Sequence, residues 1–136
     1  MEAIGASLIG LPWFLAYFAT AVAMTLVYVV IYTWVTPHSE IKLIREGNQA
    51  AALAFVGSLV GFCLPLASAV AHSVALVDCV IWGVIAVVIQ VAIFFVVRLP
   101  IPGISERIEK GDNASGLWLG ATSLAGGLLN AAAMTT

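Results

Sequence analysis

The chain has 136 residues, of which 62% are apolar and 9% are Asp, Glu, Lys or Arg, against roughly 45–50% and about 25% in soluble domains. That composition excludes a water-soluble fold. A spanning helix takes about 20 apolar residues, so four spans with short connectors use nearly the whole length and leave no room for a soluble catalytic domain.

Taken in order, the chain opens with one early charge, Glu2, and no basic segment. The apolar run that follows is long enough to span, so it reads as a retained helix rather than a cleaved signal peptide. Four runs of spanning length follow one another: about Leu11 to Val35, Ala50 to Ala71, Val77 to Val97, and Ala114 to Met134. The connectors Thr36–Asn48 and Arg98–Asp112 hold nearly all the charge. They contain all five Lys and Arg residues: Lys42, Arg45, Arg98, Arg107 and Lys110. By the positive-inside rule both connectors are cytoplasmic, and both termini and the Ala71 to Asp78 connector are extracytoplasmic.

The two charged connectors resemble each other. A shift of 64 residues pairs Ile44 with Ile108, Gly47 with Gly111, Ala50 with Ala114, Leu53 with Leu117 and Leu64 with Leu128, and sets Asn48 on Asp112. The Ile-x-x-Gly-Asn/Asp core has a physical reason. Glycine ends a short helix in the left-handed conformation, and the following Asn or Asp caps the next helix. Ser39 and Ser105 are candidate N-caps of those short helices, and Lys42 with Glu46 and Glu106 with Lys110 fall at i,i+4. Ile41, Ile44, Ile104 and Ile108 are apolar positions able to lie on the lipid boundary. The expected fold is thus an all-α integral membrane protein forming a single domain over residues 1–136. Its four transmembrane helices form two parallel-repeat helix pairs, about 11–71 and 77–134, with short interfacial helices before the second and fourth spans.

Small residues mark the second and fourth spans as the protein-facing interior. Gly57 to Gly61 and Gly116 to Gly120 have the spacing that lets backbones approach closely. The first and third runs carry bulk, including Trp13, Trp34, Tyr28, Tyr32, Trp82 and Phe94, and read as outer, lipid-contacting helices.

Candidate functional residues are few. His72 and Asp78 bracket the outer connector and form either a proton-binding pair or, more simply, an interfacial histidine and a helix N-cap. Gln90 and Asn130 are uncharged polar residues inside spans, suited to interhelical hydrogen bonds or a substrate site. Pro65 breaks the backbone bonding of the second span and frees carbonyls, which favours a kink over an ion site and makes Gly61–Ser68 the first place to look for such a site. Arg45, Glu46, Gly47, Asn48, Arg107, Gly111 and Asp112 form the cytoplasmic elements. Cys63 and Cys79 lie at different depths and read as buried apolar residues. No charged residue falls at mid-bilayer, which argues against an ion-pair pump. No nucleophile elbow, metal set, phosphate loop or cofactor motif is present, so neither an enzyme nor a metal or cofactor site is expected, and no nucleic-acid partner.

The stretches Glu40–Ala52, Gly61–Ser73 with Asp78 and Trp82, Ile108–Gly116 and Gly127–Ala133 together resemble the DUF350 family of bacterial inner-membrane proteins, also called the YjfL or UPF0719 family. The resemblance covers essentially the whole chain. It implies a bacterial cytoplasmic-membrane location, a two-unit four-helix architecture, and genomic company with envelope-stress and ATP-grasp-type genes. It brings no established activity and no catalytic residue. Two functions are therefore expected: a proton-linked transporter or channel for a small ion or solute, working in the lipid bilayer as a homodimer or larger, or a non-transporting membrane partner that recruits a stress-response protein.

Overall fold

The computed structural model describes residues 2–36 and 40–134. Among these are seven helices and no strand: α1 Glu2–Leu8, α2 Leu11–Val35, α3 Glu40–Arg45, α4 Gln49–His72, α5 Leu76–Val97, α6 Ile104–Glu109 and α7 Asn113–Met134. Four helices are long and apolar enough to cross a membrane, with α1 continuing the first of them back to Ala3. The short α1 was not anticipated. The chain passes from it into α2 at Gly10, with Pro12 in the first turn of α2, where a missing N–H is harmless.

The charged connectors are built alike. Gly47 and Gly111 have φ of 87° and 85°, the left-handed region that an L side chain avoids. Each glycine closes its short helix with a paired set of backbone bonds. Asn48 N–H donates to Leu43 O at 2.9 Å and Gly47 N–H to Ile44 O at 3.0 Å; Asp112 N–H donates to Arg107 O and Gly111 N–H to Ile108 O, both at 2.9 Å. This is the Schellman arrangement.

The residue after each glycine then caps a spanning helix. Asn48 Oδ1 accepts from Ala51 N–H at 3.0 Å, and Asp112 accepts from Ala114 N–H at 3.1 Å and from the Ser115 hydroxyl at 2.8 Å. The two connectors also hold each other. Asn48 Nδ2 donates to Ile108 O at 2.8 Å, and Asn113 Nδ2 donates to Gln49 Oε1 at 3.2 Å. They therefore share one end of the bundle, here termed the charged end.

Several expectations for these connectors need correction. Ile104 and Ile108 are buried in the core rather than laid on a lipid boundary, because α6 tucks under the bundle and packs against α7 and α4. The N-cap of α6 is Gly103, not Ser105; Ser105 Oγ instead accepts from Arg98 Nη2 at 3.0 Å. Ser39 lies outside the described residues. Neither i,i+4 charge pair closes into a salt bridge, and Arg107 lies 4.0 Å from Asp112 instead.

The centre of the molecule is the contact between α4 and α7, the closest helix pair in the fold. Their glycines face backbone directly. A Cβ on Gly57 would overlap the backbone of Gly120, one on Gly116 that of Ala50, one on Gly120 the carbonyl of Leu53, and one on Gly127 the carbonyl of Gly61. That last oxygen is the acceptor whose usual N–H partner Pro65 lacks. The freed carbonyl therefore faces the α7 backbone rather than a cavity, and α4 remains helical through buried Pro65.

α5 packs against both α4 and α7, and α2 touches α4 and α5. The large aromatics divide between lipid and core. Trp13, Phe14, Trp34 and Trp82 are exposed, as expected of a bilayer-facing surface. Tyr28, Tyr32 and Phe94 turn inward, against the expectation that these helices carry their bulk outward. Tyr28 stacks on Phe62 at 4.5 Å between centroids, and Tyr32 meets Phe94 edge-on at 5.2 Å. These two tyrosines are the fully buried side chains of α2 among those described, and Ala21, Met24, Ile31 and Val35 pack, partly buried, against the same core.

Two outcomes follow from this architecture. Gly120→Leu drives a side chain into the Leu53 carbonyl, and because overpacking costs about 1–3 kcal/mol and more against rigid backbone, the purified variant should lose thermal stability or aggregate, as size-exclusion chromatography and a melting curve would register. Gly5→Leu, where no atom lies within 4 Å of the added Cβ, should leave both unchanged. The second outcome concerns Asp112, whose carboxyl is held below its ordinary value, first by the Ser115 hydroxyl and then by backbone N–H groups and Arg107. A carboxyl that ionises more readily folded than unfolded stabilises the fold above its unfolded pKa of about 3.9. That stabilisation disappears as pH falls through the lowered folded value. Asp112→Asn, which keeps an acceptor for the cap, should flatten the pH dependence of the melting temperature below about pH 4.

Candidate functional site

Two groups of polar side chains stand out, one near each end of the bundle. At the end opposite the charged connectors, Ser68, Ala69, His72, Ser73, Asp78, Trp82 and Met134 line a cavity of about 200 Å³. The sequence sets this up simply. α4 ends at His72, the chain turns within three residues, and α5 begins at Leu76, so the last turn of α4 and the first turns of α5 face each other. Asp78 and Trp82 are four residues apart and share one face of α5. Asp78 sits in the first turn of α5, and the N-cap itself is Ala75, with no side-chain bond. The capping role considered for Asp78 therefore falls away.

His72 Nδ1 lies 2.9 Å from the Ser68 carbonyl. A carbonyl oxygen only accepts, so Nδ1 carries the hydrogen of that contact and Nε2 takes no part in it. Ser73 Oγ donates to Ala69 O. Ser68 Oγ is inaccessible and has no protein partner. His72 and Asp78 share the cavity wall without forming an ion pair.

The second group lies inside the bundle, toward the charged end. Gln90 is fully buried on α5, and its Nε2 donates to the Ser123 carbonyl of α7 at 3.0 Å. A Cβ on Gly61 would sit 2.7 Å from that same nitrogen, so the amide packs against α4 as well. One turn along α4, buried Ser58 lies close enough to both Tyr28 and Tyr32 to interact with each hydroxyl. Tyr32 in turn interacts with the carboxylate of Glu40, which is 1% exposed on α3.

None of the contacts of Ser58 with the tyrosines closes to hydrogen-bond geometry. Tyr28 Oη, Tyr32 Oη, Ser58 Oγ, Gln90 Oε1 and Ser123 Oγ are all buried without a protein hydrogen-bond partner. Leaving each bare costs about 1–3 kcal/mol, and together that rivals the about 5–15 kcal/mol of net stability a domain has. Such groups are paired by water or by a second arrangement of the helices. A hydroxyl both donates and accepts, so the group is chemically able to pass a proton.

Between the two groups α4 contributes Phe62, Pro65 and Leu66, all buried. Ser58 and Ser68 are ten residues apart on one helix, about 15 Å at 1.5 Å per residue. An apolar layer thus separates the inner group from the outer cavity.

Set against the sequence, the structure brings together Ser68, His72 and Asp78, and adds Trp82, Ser73 and Met134. Pro65 is buried in α4 outside the cavity lining. Asn130 also lies outside it, and its Nδ2 is buried without a protein partner. Gln90 belongs to the inner group. At the charged end Arg45, Glu46 and Arg107 are exposed, while Gly47, Asn48, Gly111 and Asp112 shape the turns. Glu40, Tyr28, Tyr32, Ser58 and Ser123 were not singled out as a polar group. The available signal was spacing: Tyr28 and Tyr32 fall at i,i+4 on one face of a helix otherwise strewn with aromatics, and Ser58 and Gly61 share a face of α4. Both cysteines are free.

The chain is similar to known membrane proteins over nearly its full length. A family model described as Domain of Unknown Function (DUF350) matches residues 6–134. The UPF0719 inner membrane protein YjfL of Escherichia coli strain K12 is 47% identical over 122 residues, covering 90% of this chain and 92% of the relative. The UPF0719 transmembrane protein YshE of Bacillus subtilis strain 168 is 25% identical over 103 residues, covering 74% and 77%. No solved structure matches. With four membrane-capable helices and a family match spanning almost every residue, this multi-pass membrane protein belongs to the DUF350 family.

Proposed function

We propose that the protein passes protons, or couples proton movement to a small solute, across the bacterial cytoplasmic membrane. The carrying observation is the buried polar group of Tyr28, Tyr32, Ser58, Gln90 and Ser123, with the Glu40 carboxylate beside it. Polar groups in a membrane interior are expensive and concentrate on ion and proton paths. The backbone-tight contact of α4 with α7 leaves no passage for a sizeable solute between those two helices, which favours protons as the moving species. In this reading Phe62 and Leu66 are the apolar barrier between the inner group and the outer cavity. Hydration or a shift of α2 against α4 opens it. Assembly as a homodimer or larger suits this motion, because α2 is lightly packed in one chain and a neighbouring copy supports it.

The test is proton flux in proteoliposomes carrying a trapped pH-sensitive dye and an imposed potential. The wild-type protein should acidify or alkalinise the lumen faster than empty vesicles, and Gln90→Leu and Ser58→Ala, each confirmed as folded, should slow it by about tenfold, the scale of 1.4 kcal/mol on a barrier. Correctly folded wild-type protein with no flux above empty vesicles contradicts the reading.

A second reading, a non-transporting partner in an envelope-stress system, is favoured by one observation. Arg45, Glu46, Arg107, Glu109 and Lys110 are all exposed at one end, on connectors tied together by Asn48 and Asn113. With that end cytoplasmic, it offers a preformed mixed-charge surface. Pull-down from membranes should lose a partner when Arg45 and Arg107 are both reversed to Glu, and undiminished recovery counts against it. The orientation is itself testable: a reporter active only in the cytoplasm should work when inserted after Gly47 and fail when fused after Met134.

A further inference from the structure

We propose that the cavity between the last turn of α4 and the first turns of α5 binds a small organic ammonium cation. The wall has unengaged acceptor groups to offer a ligand. The Asp78 carboxylate only accepts hydrogen bonds, and the His72 ring, its Nδ1–H engaged by the Ser68 carbonyl, has Nε2 left for a ligand. Ser68 lines the same wall, although its Oγ is inaccessible. The group that sets the charge of a ligand is thus the acceptor-only carboxylate. The matching ligand therefore brings N–H donors and a positive charge.

Trp82 supplies the other half of ammonium recognition. It lies one turn beyond Asp78 on the same face of α5 and lines the same cavity. An indole face is the strongest aromatic partner for a cation, and the carboxylate beside it completes the usual pairing of charge with ring. Met134 closes the wall with a polarisable thioether suited to an alkyl group.

Other ligand classes fit less well. An anion would meet Asp78 at the α5 N-terminus, where the helix end is already complemented by that carboxylate. Calcium takes six to eight oxygen ligands, whereas the cavity offers a single carboxylate and two serine hydroxyls, one of them engaged with Ala69 O. At about 200 Å³ the space is below the roughly 300–1,000 Å³ of sites for drug-sized molecules. An amine of a few carbon atoms suits it.

The proposal stands apart from proton conduction, since a site can bind without any flux through the bundle, and its test uses no gradient. Full-length protein in detergent micelles is titrated calorimetrically with ethylammonium chloride, with sodium chloride and sodium ethanesulfonate as parallel probes. Saturable heat is expected for ethylammonium alone. Asp78→Asn should weaken binding about tenfold or more, Trp82→Leu by a similar factor, and Trp82→Phe by no more than about threefold, because a smaller ring retains part of the cation–ring attraction. The comparison of the three salts needs no variant, so it decides the matter even where a substitution disturbs folding. Ethylammonium heat no different from that of sodium chloride, preferential binding of ethanesulfonate, or an Asp78→Asn affinity equal to wild type in folded protein overturns the proposal.

Discussion

The rest of the fold depends on the close approach of α4 and α7. Lipid gives helices no hydrophobic reason to associate, so the bundle is held where backbone meets backbone, at Gly57 on Gly120, Gly116 on Ala50 and Gly127 on Gly61. Pro65 fits the same logic. The carbonyl it deprives of an N–H partner lies against Gly127, where a Cα–H can approach it weakly. A larger residue at that point would separate the helices and expose the carbonyl to hydrocarbon.

That dry contact gives meaning to the polar side chains beside it. Gln90 reaches the Ser123 carbonyl at 3.0 Å only because the Gly61 surface admits its amide. Ser58, three residues earlier on α4, faces the two inward tyrosines of α2. The same helix thus serves two purposes: its glycine face binds α7, and its adjoining face carries a hydroxyl into a buried polar group. At the charged end, Asn48 and Asn113 tie the two connectors across the bundle, which fixes where α4 and α7 start and therefore which glycines meet.

Much of this was legible in the sequence, and what was not has identifiable causes. The four spans are limited by charge and by glycine, so their ends fall close to the observed helix ends. The left-handed Gly47 and Gly111 followed from the Ile-x-x-Gly-Asn/Asp pattern, since few other residues close a helix that way. Hydrophobicity, however, cannot say which side of a span faces protein when both sides are apolar. That is why Tyr28, Tyr32 and Phe94 read as lipid-facing, and why Ile104 and Ile108 read as boundary residues rather than core. Glu40 was legible as a helix-start carboxylate, but its burial depends on α3 folding against α4, a tertiary fact. For the outer cavity, the short connector between α4 and α5 already brought His72 near Asp78; Trp82 joined them only through its position on the face of α5.

A glycine-packed backbone contact thus stands next to a buried polar group within one chain. An experimental structure in lipid nanodiscs, at a resolution that shows ordered water, tests this most directly. The expected result is a hydrogen-bond partner, water or side chain, for each of Tyr28, Ser58 and Gln90, with no water between α4 and α7 from Gly57 to Gly127. Polar groups left there without any partner, or a water-filled gap between the two glycine helices, would contradict it.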